Sequence, residues 1–303
     1  MALRRLEFAI KFLQGNVMEK LKTALLMGAL VMIFMFVGNA VGGRSGMMIA
    51  FCAACAMNFF SYFFSDKLVL KHYRAVPVSE DSEPMLYDIV DRLCARANLP
   101  MPQIYIIEEE VPNAFATGRN PNHAAVAVTR GLLNLMNPQE IEGVLAHELS
   151  HVNHYDILIG SVAAMFAGAI ALLANFAQFG AMIGGGNSNN RSNGIFMLIA
   201  AIVMPLAASI IQMSISRTRE YKADAGAAAL TSHPQWLISA LKKLDAYSQN
   251  YRMRSADAAS AHMFIVNPFG DAASSLSRLF RTHPSTADRI ARLEQIDRDM
   301  RLS

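Results

Sequence analysis

The segment His147-Glu148-Leu149-Ser150-His151 is an H-E-x-x-H motif, and its three fixed residues are types that hydrolytic metal chemistry uses. Positions four apart share one face of a helix, so His147 and His151 can aim two imidazoles at a single ion. Glu148 stands about 100° further round. From there its carboxylate can reach a water beside the ion instead of competing as a ligand. Neutral imidazoles suit Zn²⁺, and a site with one open coordination position supports hydrolysis. A chance match is the bland alternative, but the surrounding sequence argues against it.

The helix that carries the motif is well announced. Asn137 can cap it, Pro138 suits its first position, and Glu140 completes a capping box. Ile141, Val144, Leu145, Leu149 and Val152 form an apolar stripe that leaves the two histidines on another side. Capping and amphipathicity are independent of the motif, and both place it mid-helix.

A third ligand must come from elsewhere. His154 lies about 10 Å along the axis from His147 at 1.5 Å per residue, too far to share the ion. Asp156 is set aside as further along the same helix. An extended motif with Gly at 154 and His at 157 is ruled out, because the chain has His154 and Ile157. The better candidate is Glu220, in Arg219-Glu220-Tyr221-Lys222-Ala223-Asp224. Glu220 and Asp224 share a helical face, so Glu220 can bind the ion while Asp224 orients a ligand imidazole through its free N–H. The plainer reading of this segment is a solvated, charged helical turn.

Mean hydropathy is +0.26 and charged residues make up 17%, a balance that points to membrane. Four apolar stretches stand out, at residues 23–41, 47–64, 157–183 and 195–215. Each approaches or exceeds the roughly 18–20 residues that cross a bilayer. The N-terminal residues do not resemble a cleavable signal peptide. Positive residues cluster in the N-terminal arm (Arg4, Arg5, Lys11, Lys20, Lys22), after the second stretch (Lys67, Lys71, Arg74) and after the fourth (Arg217, Arg219, Lys222). The two short hairpin loops carry only Arg44 and Arg191. By the positive-inside rule, both termini and the polar segments lie in the cytoplasm. Glycine- and asparagine-rich residues 184–194 read as an outside turn. There is no nucleic-acid signature.

His151 precedes the third stretch by six residues, and Glu220 follows the fourth by five. If both helices continue out of the bilayer, the two stand about 9 Å and 7.5 Å above it. An antiparallel hairpin would then bring both ligands to one height on one side.

With these motifs in place, the chain resembles the HtpX family of membrane-bound zinc metalloproteases, relatives of the CAAX prenyl proteases. The similarity runs from the first apolar stretch to about Leu293. It rests on the two motifs above, with Asn113-Ala114-Phe115-Ala116-Thr117-Gly118, Phe264-Ile265-Val266-Asn267-Pro268, and Thr282-His283-Pro284 followed by Arg289 and Ile290. Ser285 stands where the related pattern often has a second proline. The resemblance implies an inner-membrane endopeptidase that clears misfolded or damaged membrane proteins under stress. It also implies one Zn²⁺ on His147, His151 and Glu220, Glu148 as general base, and Asp224 behind a ligand. It further implies that Asn113 and His283 help hold the tetrahedral intermediate, and that the Asn113 segment forms the sheet edge along which substrate lies. Residues 103–107, 114–117 and 124–129 do read as short strands, and an edge binds polypeptide with little sequence preference.

The expected fold is therefore α+β: a mostly helical zincin-type domain with a small antiparallel sheet, fused to four transmembrane helices in two hairpins. Residues 1–66 hold the arm and first hairpin, 67–156 the first part of the catalytic domain, 157–215 the second hairpin and 216–303 the remainder. Expected partners are unfolded or membrane polypeptides and the lipid bilayer; no oligomeric state or partner protease is indicated. Cys52 and Cys55 have redox-motif spacing but sit in an apolar stretch and read as packing, and Cys94 stands alone in a helix. Asn175, Gln178 and Gln212 read as hydrogen-bonding between spans. Residues 236–247 and 282–296 look like amphipathic helices. A non-proteolytic metal scaffold is the main alternative, but it would leave Glu148 without a role. A transporter would need ionisable residues within the spans, and these are lacking. Prenyl-protein processing would need a larger intramembrane chamber than four short spans provide.

Overall fold

The computed structural model describes residues 2–158, 217–250 and 284–302. Two compact units emerge, residues 1–64 with 162–214 and residues 65–161 with 215–303. Helix α1 is assigned over Ala2–His72, and its residues up to Phe64 belong to the first unit.

That helical run is not one rod. A straight helix would place Met27 and Asn58 about 46 Å apart, yet the Asn58 side-chain amide donates to the Met27 carbonyl at 3.1 Å. The reversal falls at Gly43, whose φ of +59° is a left-handed conformation that glycine adopts without penalty. Gly38 and Gly46 then face each other so closely that a Cβ on either would strike the other's backbone. Thr23, Leu30, Ala54 and Ser61 are buried, whereas Met32, Phe36, Ile49, Phe59 and Phe60 are exposed. The run thus folds back on itself as a helical hairpin.

Among the described residues one helical segment, Gly43–Phe64, is long and apolar enough to cross a membrane. Thr23–Phe36 is apolar but shorter. The third and fourth expected stretches lie outside the described residues except for Ile157 and Leu158, as do residues 184–194 and 264–268. Cys52 and Cys55 were expected to pack, but both are exposed; the small residue on the buried side is Ala54.

In the second unit, β1 (Val76–Pro77), β2 (Gln103–Ile107), β3 (Ala114–Gly118) and β4 (Ala124–Thr129) form a sheet in the order β1-β2-β4-β3. β2, β3 and β4 match the expected strands within a residue, whereas the two-residue β1 was not expected. The sheet is mixed, which corrects the expected antiparallel arrangement: β2 pairs with β4 in parallel, and β3 with β4 antiparallel. Parallel neighbours need a crossover of a dozen or more residues. The segment between β2 and β4 supplies one and folds β3 into it, so β3 becomes the outer edge.

All six residues of β4 are buried, as befits a strand covered on both faces. Val126 and Val128 join Ile104 and Ile106 in the main core, against helices α2 (Pro84–Ala97) and α4 (Pro138–Asn153). Ala125 and Ala127 alternate to the other face, with Phe115, Val69 and Leu70. Helix α3 (Arg130–Leu135) leads from β4 into α4. Helices α5 (Arg217–Thr231), α6 (Pro234–Asn250) and α7 (Thr286–Leu302) complete the layer. The last begins at Thr286, later than the amphipathic pattern from residue 282 indicates.

Two close approaches fix how α4 sits. A Cβ on Gly143 would lie 2.8 Å from the Leu237 nitrogen of α6, and one on Gly226 of α5 would collide with Ser150. Small residues let these backbones meet, and almost all of α4 is buried in consequence.

Candidate metal centre

Helix α4 starts as its sequence indicates. Asn137 accepts from the Glu140 backbone N–H and Glu140 accepts from the Asn137 N–H, each at 2.9 Å. The capping box sets the helix register, and the register brings His147 and His151 onto one face. Their Nε2 atoms lie 3.3 Å apart. Helix α5 packs across that face and delivers Glu220, whose carboxylate oxygens lie 3.5 Å from each Nε2. The donor atoms of these three residues all lie within 4.8 Å of one another.

The opposite ring nitrogens are anchored. His147 Nδ1 donates to Asp224 at 3.0 Å, and His151 Nδ1 donates to Asp156 at 3.1 Å. With both Nδ1 protons so engaged, both Nε2 lone pairs point at the same space beside a carboxylate. Such a convergence of acceptors is repulsive unless a proton or a metal cation lies between them. The spacing fits one: tetrahedral ligands at about 2.0–2.1 Å from Zn²⁺ stand roughly 3.3–3.4 Å apart.

The electrostatics agree. Burial is the largest influence on His147 and works against its charged form, as does Arg289. The Asp224 and Glu220 carboxylates outweigh both and raise its pKa to about 9. His151 is raised too: burial opposes, while Asp156 and Glu220 prevail. Asp224 is held down to about 2, because Arg289 and His147 overcome the effect of burial. The pocket therefore favours positive charge.

Glu148 is 7% exposed and accepts a hydrogen bond at 3.0 Å from the Ala116 backbone N–H on edge strand β3. The motif's carboxylate thus sits between the metal-binding face and the strand that could receive a peptide. Asn113 is buried just before β3, where its N–H donates to Thr129 Oγ1 at 2.8 Å and its carbonyl accepts from the Thr129 hydroxyl and N–H. His283 lies outside the described residues.

Asp156 was set aside as too far along the same helix, and as a direct ligand it is indeed not in the trio. The premise about the helix fails, however. Helix α4 ends at Asn153, Tyr155 takes φ +62°, and the turn brings Asp156 back to His151. The same break means that α4 does not run straight on towards residue 157, so the height estimate for His151 loses its basis. The second residue missed is Arg289, noted only as part of a motif. It is 1% exposed, and it grips Asp224 with Nε at 2.9 Å and Nη2 at 2.6 Å.

A buried helix with H-E-x-x-H, a glutamate from a second helix and an edge strand beside the motif glutamate define a metal-dependent peptide hydrolase. Comparison with known proteins agrees. Residues 80–297 match the family described as peptidase family M48. Over 283 residues the chain is 69% identical to a protease HtpX homolog of Campylobacter hominis, covering 93% of this chain and 100% of that one. It is 54% identical over 279 residues to a protease HtpX homolog of a Sulfurovum species, covering 92% and 100%. Its fold resembles the crystal structure of S. mikatae Ste24p, with TM-score 0.51 and 19% identity, over 94% of this chain and 67% of that one. The chain belongs to peptidase family M48 and is a metalloprotease of the HtpX kind.

Proposed function

We propose that this protein is a zinc-dependent endopeptidase of the bacterial inner membrane that cleaves misfolded or damaged membrane proteins at the cytoplasmic face. The observation that carries the reading is the convergence of two Nε2 atoms and Glu220 on one point, with each histidine anchored by a carboxylate behind it. His147, His151 and Glu220 would hold the ion. Bound Zn²⁺ would polarise the scissile carbonyl and acidify water at neutral pH. Glu148 takes the proton of the attacking water and returns it to the leaving amine. Asn113 and His283 donate to the developing oxyanion.

The substrate lies extended along β3, whose outer side has no neighbouring strand among the described residues. Backbone pairing there admits many sequences, as clearance of unfolded chains requires. Residues 1–66 and 157–215 act as membrane hairpins, and residues 67–156 and 216–303 form the cytoplasmic catalytic domain. The apolar helix Gly43–Phe64 and the distribution of lysine and arginine support that topology.

The test compares purified wild type with Glu148→Gln on an unfolded protein, with zinc measured in both. Cleavage should fall at least 1,000-fold, roughly the loss of a general base together with its positioning, while zinc content stays unchanged. Equal cleavage by the two proteins would overturn Glu148 as the base. Stoichiometric zinc without cleavage of any unfolded or membrane polypeptide would favour the metal scaffold.

A further inference from the structure

Arg289 enters the site from α7 as a fully buried cation beside a centre built to hold another cation. Its Nη2 lies within 3.5 Å of both ring nitrogens of His147. Placing two positive charges so close is unfavourable unless the first has a task. Bulk stability is a poor candidate, because a buried ion pair is often no better than apolar residues of similar volume. The bonding pattern shows a better one. Nε donates to Asp224 Oδ2, and Nη2 donates to Oδ1. That same Oδ1 accepts from His147 Nδ1. The guanidinium fork therefore fixes the carboxylate plane and leaves one oxygen aimed at the imidazole.

We propose that Arg289 is a positioning residue of the metal centre, which locks Asp224 so that His147 presents Nε2 to the ion. The proposal rests on the metal-binding reading given above. One line of contacts then joins α7 through Arg289, α5 through Asp224 and α4 through His147. Arg292, three residues further along α7, stacks 3.8 Å over the Tyr221 ring of α5, and Leu293 is fully buried in the main core. Arg292 and Leu293 thus seat the last helix independently of the contacts that Arg289 makes with Asp224. Lysine could restore the charge but not the fork.

The experiment uses full-length protein in detergent, stripped of metal, as wild type, Arg289→Met, Arg289→Lys and Leu293→Ala. Zn²⁺ affinity is read by competition with a chromogenic chelator, coordination geometry by the visible spectrum of the Co²⁺ form, and stability by thermal unfolding without metal. Arg289→Met should bind Zn²⁺ 10–100-fold more weakly, on the order seen when a partner behind a ligand is lost. Both Arg289 variants should shift the Co²⁺ spectrum. Leu293→Ala should lower the metal-free melting temperature yet keep the wild-type spectrum, since it loosens α7 without touching the network. If Arg289→Met does not fold, Arg289→Lys decides. Wild-type affinity and spectrum in an Arg289 variant overturn the proposal, as does an identical spectral shift in Leu293→Ala. Wild type that binds neither metal overturns the metal-binding reading itself.

Discussion

His147 and His151 are each held by an aspartate, one far away in the chain and one five residues on. Asp224 was recognisable because it repeats the helical spacing from Glu220. Asp156 was not, because its role depends on where α4 stops, and Tyr155 carries no marked signal for its positive φ. Loss of either aspartate frees an imidazole to rotate or change tautomer. Asp156→Asn should therefore weaken Zn²⁺ binding 10–100-fold while thermal stability without metal changes little. Chelator competition checks this, and an unchanged affinity would show that the His151–Asp156 contact is incidental. The pairing of His147 with His151 was legible for a simple physical reason: helical periodicity converts a spacing of four into a shared face, whereas Glu220 comes from a second helix that this spacing does not reach. Arg289 was hidden because its partner lies 65 positions away, and no local pattern distinguishes a buried arginine from a solvated one.

Among the elements, α4 shows what sequence alone conveys well and what it does not. Its capping box and start were evident from Asn137, Pro138 and Glu140, since caps are local chemistry. Burial on nearly every side was not evident, because it comes from α5 and α6 approaching at Gly226 and Gly143. Strand positions were legible, but the parallel pairing of β2 with β4 was not, since alternation of side chains is the same in either direction. Glu140 also ties α4 to α6. Beyond its capping bond it accepts from Lys243 Nζ and from the Ser239 hydroxyl, each at 2.6 Å. Burial alone would raise its pKa above the ordinary 4.5, but Lys243, Ser239 and the Asn137 N–H together lower it. A lowered folded-state value gives stability that is present above the unfolded pKa and is lost as pH falls through the folded one. Glu140→Gln should cost about 1–2 kcal/mol at pH 7, discounted for the partly exposed lysine. The gap to wild type should close in acid, below pH 4.5. Denaturant unfolding at several pH values checks this, and a gap that persists unchanged into acid would assign the effect to packing. Gly226→Leu is expected to be harsher, because its side chain has no space against Ser150; it should abolish stable folding or cost more than about 3 kcal/mol, as severe overpacking does.

At the scale of the whole molecule, the peptidase needs an anchor as well as a site, and the first hairpin has the features of one. Asn58 satisfies its amide inside the hairpin through the Met27 carbonyl. Close contact between Gly38 and Gly46 packs the two arms as small residues do within lipid. Phe36, Ile49, Phe59, Phe60 and Phe63 point outward, a surface that a water-soluble protein rarely leaves bare. On the proposed topology, the lysine and arginine pattern would put the Gly43 turn outside and the catalytic unit in the cytoplasm. Cysteine labelling can read that orientation directly. In a background with Cys52, Cys55 and Cys94 replaced by alanine, Ser45→Cys should react with a membrane-impermeant maleimide added to spheroplasts. Glu80→Cys, exposed in the catalytic unit, should react only after the inner membrane is opened. Protection of both sites until opening would mean that the hairpin does not cross, and labelling of Glu80→Cys alone would invert the topology. The inverted topology would also move the site of proteolysis, because on the proposed reading substrates reach β3 only from the side on which the catalytic unit lies.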